Sequence, residues 1–218
     1  MFTPLRYQVT HADCYPTSVL NALVWLFARD ELPGAALQRI YAYCLDGIER
    51  GVPGAYTTEY ASLALMHWLD EFKTRSFAVA TEVIKGHDVH LRASSEVLRW
   101  LGRGGVAVLD IRITTVTTHS ILALAAGRDH LDCWDPYIRG ARYDFGRGAL
   151  RLETDGHSPN LRLAKSWLDS TRIRRYSLGP LAGRVGVLIR RTRGGRRGGT
   201  AKRRGPEKFC NHRFSGKS

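Results

Sequence analysis

Long apolar runs are scarce in this chain of 218 residues. The most apolar stretch, residues 19–28, is interrupted by Asn21 and is about half the length that crosses a bilayer. Residues 1–6 contain no apolar segment of the kind that forms a secretion signal. We therefore expect a soluble, cytoplasmic protein with no membrane span.

Paired cysteines are also missing, since the chain has four cysteines and no Cys-x-x-Cys motif. A structural zinc site usually needs four ligands in recognisable pairs. Neither His87 with His90 nor Cys210 with its neighbours meets that requirement. The glycine-rich residues 102–105 precede a predicted strand rather than a helix, which argues against a phosphate-binding loop. We expect no metal and no cofactor, and a chain of this length needs no disulfides, which fits a reducing compartment.

Acidic residues are nearly absent from the C-terminal end. Of 33 basic and 20 acidic residues, eleven basic residues and a single acid, Glu207, lie in residues 190–218, so the rest of the chain carries only +3 of the net +13. Glycine pairs separate the arginines there. This composition is typical of a disordered basic tail. Any contact of such a tail with nucleic acid would be weak, nonspecific and strongly salt-dependent.

The rest of the chain has the size of one domain. With 44% hydrophobic residues, the chain can bury one substantial core. We predict a single domain over residues 1–189, followed by the basic tail over residues 190–218. Nothing in the sequence specifies an oligomeric state.

Hydrophobic periodicity predicts helices first and an antiparallel sheet later. Apolar residues recur at helical spacing in residues 14–27, 33–51, 58–72 and 94–101. Strand patterns occur in residues 77–83, 106–111, 118–126, 130–137, 139–145, 150–153 and 185–189. This order of elements predicts an α+β fold.

Cys14 lies where the first predicted helix begins. Asp13 precedes it as a residue of the capping type, and Pro16 falls in the first turn, where its missing N–H costs nothing. Unpaired backbone N–H groups and the positive end of the helix dipole favour thiolate over thiol at such a position. The sequence therefore predicts a reactive thiol at Cys14. The alternative is a small buried apolar residue, which is what most single cysteines are.

A predicted hairpin supplies a base and a carboxylate. His119 begins one strand, residues 127–129 form the turn, and Asp135 ends the return strand in front of a proline. Counting about the turn makes His119 and Asp135 neighbours, unless the register shifts by one residue. An imidazole held by a carboxylate through one ring N–H takes a thiol proton with the other nitrogen. The alternatives are a structural histidine and an ordinary Asp-Pro turn.

The residues that carry a family resemblance occur in the order Gln8, Asp13-Cys14, Pro16, His119 and Asp135-Pro136. They resemble the hallmarks of papain-like cysteine peptidases. Within that group the chain is most similar to the bacteriocin-processing, double-glycine-leader peptidases and their free-standing relatives. The likeness covers residues 7–137, and its motifs are short. It implies a papain-like fold, with N-terminal helices packed on an antiparallel sheet, and a peptide or protein substrate.

The resemblance also implies a role for each residue. Cys14 would be the nucleophile, His119 the general base and then the acid, and Asp135 the residue that orients the histidine. Gln8 would donate to the oxyanion beside the Cys14 backbone N–H. Six extended residues span about 20 Å, so Gln8 reaches Cys14 only if the chain between them doubles back.

Two residues depart from the family pattern. Tyr15 stands where the family has the glycine after the cysteine, and Thr118 replaces the glycine before the histidine. The sequence predicts a cysteine peptidase or related thiol hydrolase that works through a thioester acyl-enzyme. Three alternatives remain, namely an acyltransferase with the same triad, a degenerate module that binds a peptide or leader segment, and a nucleic-acid-associated protein that works through its basic tail. His11 has no obvious carboxylate to orient it, and Cys133 is expected to pack in the core.

Overall fold

The structure is a computed structural model that describes residues 3–49, 51–140 and 143–192. Within these residues the fold is α+β, as predicted. The helices are α1 (Cys14–Leu26), α2 (Gly34–Tyr43), α3 (Glu59–Glu71), α4 (Glu96–Gly102) and α5 (Lys165–Leu168). The strands are β1 (Ile48–Glu49), β2 (Val52–Pro53), β3 (Val79–Lys85), β4 (Val106–Arg112), β5 (Thr118–Ala126), β6 (His130–Trp134), β7 (Ala149–Arg151), β8 (Leu161–Ala164) and β9 (Val185–Arg191).

Seven of these strands form one antiparallel sheet in the order β3-β9-β4-β5-β6-β8-β7, and β1 and β2 pair separately as a short hairpin. The late strand β9 lies between β3 and β4 and pairs with both. A strand that lies far along the chain therefore connects the edge strand β3 to the rest of the sheet. Strands β4, β5 and β6, which are neighbours in sequence, are also neighbours in space.

The sheet separates two cores. Side chains alternate along a strand, so Val106 and Val108 of β4 pack in the core formed with α1, α2 and α3, and Ala107 and Leu109 pack in the core formed with α4 and α5. Helix α1 is buried along most of its length. It packs mainly on β5 and β4, which brings its first turn to the beginning of β5.

Several predicted elements have different limits in the structure. The predicted strand over residues 139–145 is wrong for the residues described there, because residues 139, 140 and 143–145 belong to no strand and the Tyr143 N–H donates to the Gly140 carbonyl (3.0 Å) instead of to a neighbouring strand. The strand predicted over residues 150–153 is Ala149–Arg151. The helix predicted over residues 33–51 ends at Tyr43, and β1 follows within that range. Helix α5 and strands β1, β2 and β8 have no counterpart in the sequence analysis.

Strand β9 continues through Arg191, so Arg190 and Arg191 pair with β3 although the sequence analysis assigns them to the basic tail. The Arg191 guanidinium also donates to both carboxylate oxygens of Glu31 (2.8 and 2.5 Å). Residues 193–218, which include Cys210 and most of the predicted tail, lie outside the described residues. None of the helices in the described ranges combines the length and apolar character that crossing a membrane requires.

Candidate active site

The segment that enters α1 doubles back on itself. The Asp13 carboxylate accepts hydrogen bonds from the backbone N–H groups of Val9 (3.0 Å) and Thr10 (2.8 Å). Burial raises the pKa of Asp13, but these hydrogen bonds outweigh it and hold the pKa below its usual range. Asp13 precedes α1 as predicted, but its side chain makes no capping bond to the helix. The capping prediction is wrong because the bend brings two loop N–H groups to the carboxylate instead.

Buried polar side chains attach α1 to its surroundings. Ser18, one turn after Cys14, donates from Oγ to the Ser120 carbonyl on β5 (3.1 Å). Asn21 donates from Nδ2 to the Arg6 carbonyl and accepts through Oδ1 from the Arg6 N–H, both at 2.8 Å. Because Ser18 and Asn21 are fully buried, these bonds fix the position of α1 against β5 and against the segment that carries Gln8.

Cys14 is the first residue of α1 and is partly exposed. The His119 side chain and the Ser120 backbone both interact with its thiol. Burial raises the pKa of the Cys14 thiol, but these two interactions and the positive charge of His119 lower it below its ordinary value. Thiolate is therefore favoured at Cys14, and thiolate is the nucleophilic form.

The other two described cysteines have the opposite environment. Cys44 and Cys133 are buried. Burial raises the pKa of Cys44 to about 12 and raises the pKa of Cys133 as well. The expectation that Cys133 packs in the core is confirmed, since its side chain is fully buried in the cluster that contains Leu131 and Leu163. Among the described cysteines, only Cys14 is partly exposed and has a lowered thiol pKa.

His119 and Asp135 are in direct contact, with His119 Nε2 lying 2.7 Å from Asp135 Oδ1. Both side chains are buried, with exposed fractions of 7% and 4%. Since Nε2 contacts the carboxylate, Nδ1 is the ring nitrogen left for the Cys14 thiol. The imidazole thus lies between sulfur and carboxylate, as the hairpin predicts.

A bulge in the hairpin decides this contact. Near the turn Ala126 pairs with Leu131, but the register shifts between Ala123 and Ala125, and Ala123 then pairs with Cys133. Continuing the shifted register places Asp135, just past the end of β6, across from Ile121. Residues 119 and 121 point to the same face of β5. Without the bulge, Asp135 would point to the opposite face from His119.

His119 is poised to carry a proton. Burial lowers its pKa, but hydrogen bonds to Asp135 and Cys14 and the negative charges of both partners outweigh burial and raise the pKa of His119 to about 9. A histidine pKa raised above its usual value beside a thiol pKa lowered below its own favours an imidazolium–thiolate pair.

The Asp135 carboxylate is held on both oxygens. Oδ1 accepts from the Tyr137 N–H (2.8 Å), and Oδ2 accepts from the Tyr176 hydroxyl (2.6 Å) and from Arg139 Nε (3.1 Å). Burial raises the pKa of Asp135, but the bond to His119 and the nearby charges hold it below its ordinary value. Asp135 therefore stays ionised and keeps the His119 ring in one orientation.

Three of the residues that hold Asp135 have no distinguishing signal in the sequence. Tyr176 lies 41 positions along the chain and is fully buried, with a left-handed backbone (φ 59°). Asn160 binds the Asp135 backbone twice, accepting from its N–H (2.7 Å) and donating to its carbonyl (2.8 Å). Arg139 looked like part of a strand. Only the tertiary structure shows that all three belong to the site.

Gln8 lies close to the site, but its side chain contacts a different group. Its backbone N–H donates to the Pro136 carbonyl (2.8 Å), which places it beside the segment that carries Asp135. Its Nε2 donates to the Thr10 carbonyl (2.6 Å). Its Oε1 is buried and has no hydrogen-bond partner among the described residues. The Gln8 amide group thus donates to a neighbouring carbonyl, and its role as an oxyanion donor beside Cys14 stays a prediction.

The two departures from the family pattern have different surroundings. The Tyr15 hydroxyl is hydrogen-bonded to Ser62 of α3, and its ring packs against the core that contains α1, α2 and α3. Burial raises the pKa of Tyr15. Thr118 is exposed at the first position of β5, across from Arg112 of β4. Tyr15 therefore anchors the first turn of α1 to α3.

Aromatic side chains and a cavity border the site on the Asp135 side. The Tyr137 ring meets the His119 ring edge-on, with centroids 6.3 Å apart, and His11 stacks on Tyr137 at 5.7 Å. A cavity of about 690 Å³ opens beyond Tyr137 and is also lined by Asp135 and Arg139. His11 has no carboxylate partner among the described contacts, which agrees with its exclusion as the catalytic base.

No family model matches the chain, and no curated protein matches it at a significant level. In the described part of the chain, no group of three or more His, Cys, Asp or Glu side chains could hold a metal ion. The interpretation of the site therefore depends on its geometry.

Proposed function

We propose that the protein is a cysteine hydrolase of papain-like architecture that cleaves a peptide bond through Cys14, His119 and Asp135. The observation that carries this proposal is the position of His119, which is hydrogen-bonded to Asp135 and lies close enough to the Cys14 thiol to lower its pKa. A thiol nucleophile needs a nearby base and a group that orients this base. A buried imidazole beside the thiol at a helix start, with an ionised carboxylate behind the imidazole, provides both.

In the first step, the Cys14 sulfur forms a bond to the carbonyl carbon of the substrate. The carbonyl oxygen takes the electron pair and becomes an oxyanion. Backbone N–H groups at the start of α1 are suited to stabilise it, and Gln8 would join them if its amide turned away from the Thr10 carbonyl. The imidazolium of His119 then gives its proton to the amide nitrogen, the oxyanion re-forms the carbonyl, and the carbon–nitrogen bond breaks. The amine leaves, and a thioester to Cys14 remains.

In the second step, His119 is neutral and acts as the base. It removes a proton from water, whose oxygen bonds to the thioester carbon, and the carbon–sulfur bond breaks. The products are a carboxylic acid and the regenerated Cys14 thiolate with imidazolium. Asp135 stabilises the imidazolium at each stage and takes no proton itself. If an amine replaced water, the same steps would give acyl transfer.

One observation favours a second candidate, a module that binds a peptide without cleaving it. The Gln8 amide donates to the Thr10 carbonyl rather than toward Cys14, so an oxyanion would lack this donor unless Gln8 rearranges. A cytoplasmic location and a peptide or protein partner are parts of the proposal under both candidates.

Covalent trapping tests the proposal. Neutral iodoacetamide and a panel of electrophilic peptides are reacted with the intact chain and with Cys14→Ser, and labelled positions are located by peptide mass mapping. We expect Cys14 to react far faster than Cys44 or Cys133 and expect peptide electrophiles to form a thioether only in the intact chain. Equal labelling of the cysteines, or rapid iodoacetamide labelling with no reaction toward any peptide electrophile, would contradict the peptidase.

A further inference from the structure

A second carboxyl group lies beside the nucleophile. Asp110 is on β4 and pairs across the sheet with Ser120 of β5, the residue after His119. The Ser120 hydroxyl donates to Asp110 Oδ1 (2.6 Å). By strand alternation, Asp110 points to the same face of β4 as Val108, which packs in the core formed with α1. Asp110 therefore lies on the face of the sheet that carries the helix of Cys14.

The Asp110 carboxyl has no salt-bridge partner in the described ranges. The basic residue nearest to it on its own strand is Arg112. The Arg112 side chain lies against two glycines instead: a Cβ added at Gly179 would come within 2.9 Å of it, and one added at Gly183 within 2.8 Å. Asp110 is partly exposed. An ionised carboxylate that is mostly surrounded by protein and has no salt bridge costs free energy when no ligand is bound. Such a group is well suited to a ligand of opposite charge.

The titratable and charged groups that interact electrostatically with Asp110 come from three elements. They are Cys14 and Tyr15 of α1, His119 of β5 and Arg112 of β4. Burial raises the pKa of Asp110, and its bond to Ser120 and the charges of His119 and Arg112 oppose the rise. In turn, the negative charge of Asp110 raises the pKa of Cys14. An ionised Asp110 thus makes the thiolate less favourable.

We propose that Asp110 is a specificity-determining residue, which binds a positively charged side chain of the substrate close to the bond that Cys14 attacks. This inference rests on the proposed function. A lysine or arginine side chain would pair with the carboxylate and cancel its repulsion of the Cys14 thiolate. By thermodynamic linkage, a cation that favours the thiolate also binds more tightly when the thiolate is present. Binding of a basic substrate and activation of the nucleophile would then support each other.

Matched pairs of peptide electrophiles test this inference. Within each pair, one position carries either lysine or norleucine, which has an aliphatic chain and no charge. Three pairs place this residue first, second or third on the N-terminal side of the electrophile. The second-order labelling rate of Cys14 is measured for each, with iodoacetamide as a reference that carries no side chain.

We expect the lysine probe of at least one pair to react about tenfold faster than its norleucine match, the size of one charge-assisted contact. Asp110→Asn keeps an oxygen that accepts from Ser120 and removes the charge, so it is expected to bring the two rates together while iodoacetamide still labels Cys14. Asp129→Asn is the matched control, because Asp129 is exposed in the turn between β5 and β6. It removes the same charge and is expected to leave the tenfold ratio unchanged.

Equal rates within all three pairs would overturn the inference, as would a lysine preference that persists in Asp110→Asn. The wild-type comparison of the paired probes gives this answer even if Asp110→Asn fails to fold. If iodoacetamide does not select Cys14, the proposed function fails, and this inference fails with it. If iodoacetamide selects Cys14 and the paired rates are equal, only the inference about Asp110 fails.

Discussion

The Asp135 side chain shows how single residues define this site. An aspartate before a proline is common at the end of a strand, and a turn requires only one or two bonds from its carboxylate. In the structure the carboxylate instead contacts His119 Nε2 and accepts from Tyr137, Arg139 and Tyr176. This number of bonds to a buried carboxylate favours a functional role over a turn. The sequence alone could not distinguish these two roles, because Tyr176 is distant in sequence.

The bond from Tyr176 to Asp135 gives the first prediction. Tyr176→Phe removes a donor from a buried, ionised carboxylate, so we expect the free energy of unfolding to fall by about 1.5–3 kcal/mol. Tyr143→Phe is the matched control, because the Tyr143 hydroxyl is buried with no partner among the described residues. It is expected to change stability little or to raise it. Urea unfolding measures both, and similar losses in the two variants would contradict the role given to Tyr176.

At the scale of elements, the site depends on how α1 and the β5–β6 hairpin meet. Apolar spacing and turn residues predict both elements, and residue order predicts that His119 and Asp135 approach each other. The bulge between Ala123 and Ala125 could not be predicted, because the run of small and apolar residues around it fits either register. The register is set by tertiary packing, which local sequence does not contain.

Asn21 gives the prediction at this scale, because it connects α1 to the segment that carries Gln8. Asn21→Ala leaves the Arg6 N–H without its acceptor and removes a donor from the Arg6 carbonyl, so we expect a loss of about 1–3 kcal/mol in the free energy of unfolding. Gln38→Ala, on the exposed side of α2, serves as control and is expected to change stability by less than about 0.5 kcal/mol. Chemical denaturation compares the two, and equal small effects would show that the connection contributes little.

Over the whole molecule, the late strand β9 and the buried Arg184 before it join distant parts of the chain. Arg184 is 1% exposed. Its guanidinium donates to the carbonyls of Gly179 (2.9 Å) and Val89 (2.8 Å) and pairs with Asp169 (2.6 Å). The sequence predicts β9 from its apolar run. It does not predict that an arginine at the edge of that run is buried, because arginine is rarely buried without a partner.

Arg184→Met is the prediction at this scale. The variant leaves the Asp169 carboxylate and the carbonyls of Gly179, Val89 and Asp169 without their donor, and we expect a loss of about 3–5 kcal/mol, the cost of breaking a buried pair by removing one partner. Lys85→Met is the control, because the pair of Lys85 with Glu59 is exposed and such pairs contribute at most about 1 kcal/mol. Thermal and urea unfolding measure both. A loss for Arg184→Met no larger than that for Lys85→Met would contradict the structural role of Arg184.

The measurement that tests the central claim most directly is the titration of the Cys14 thiol, followed by the ultraviolet absorbance of the thiolate. The spectrum of Cys14→Ser is subtracted at each pH, which removes the other cysteines and the tyrosines. We predict ionisation of Cys14 below the ordinary thiol pKa of 9.0, and a rise of that pKa in His119→Ala, where burial acts without the imidazolium. A Cys14 pKa at or above the ordinary value, unchanged in His119→Ala, would contradict the nucleophile and base assigned to this site.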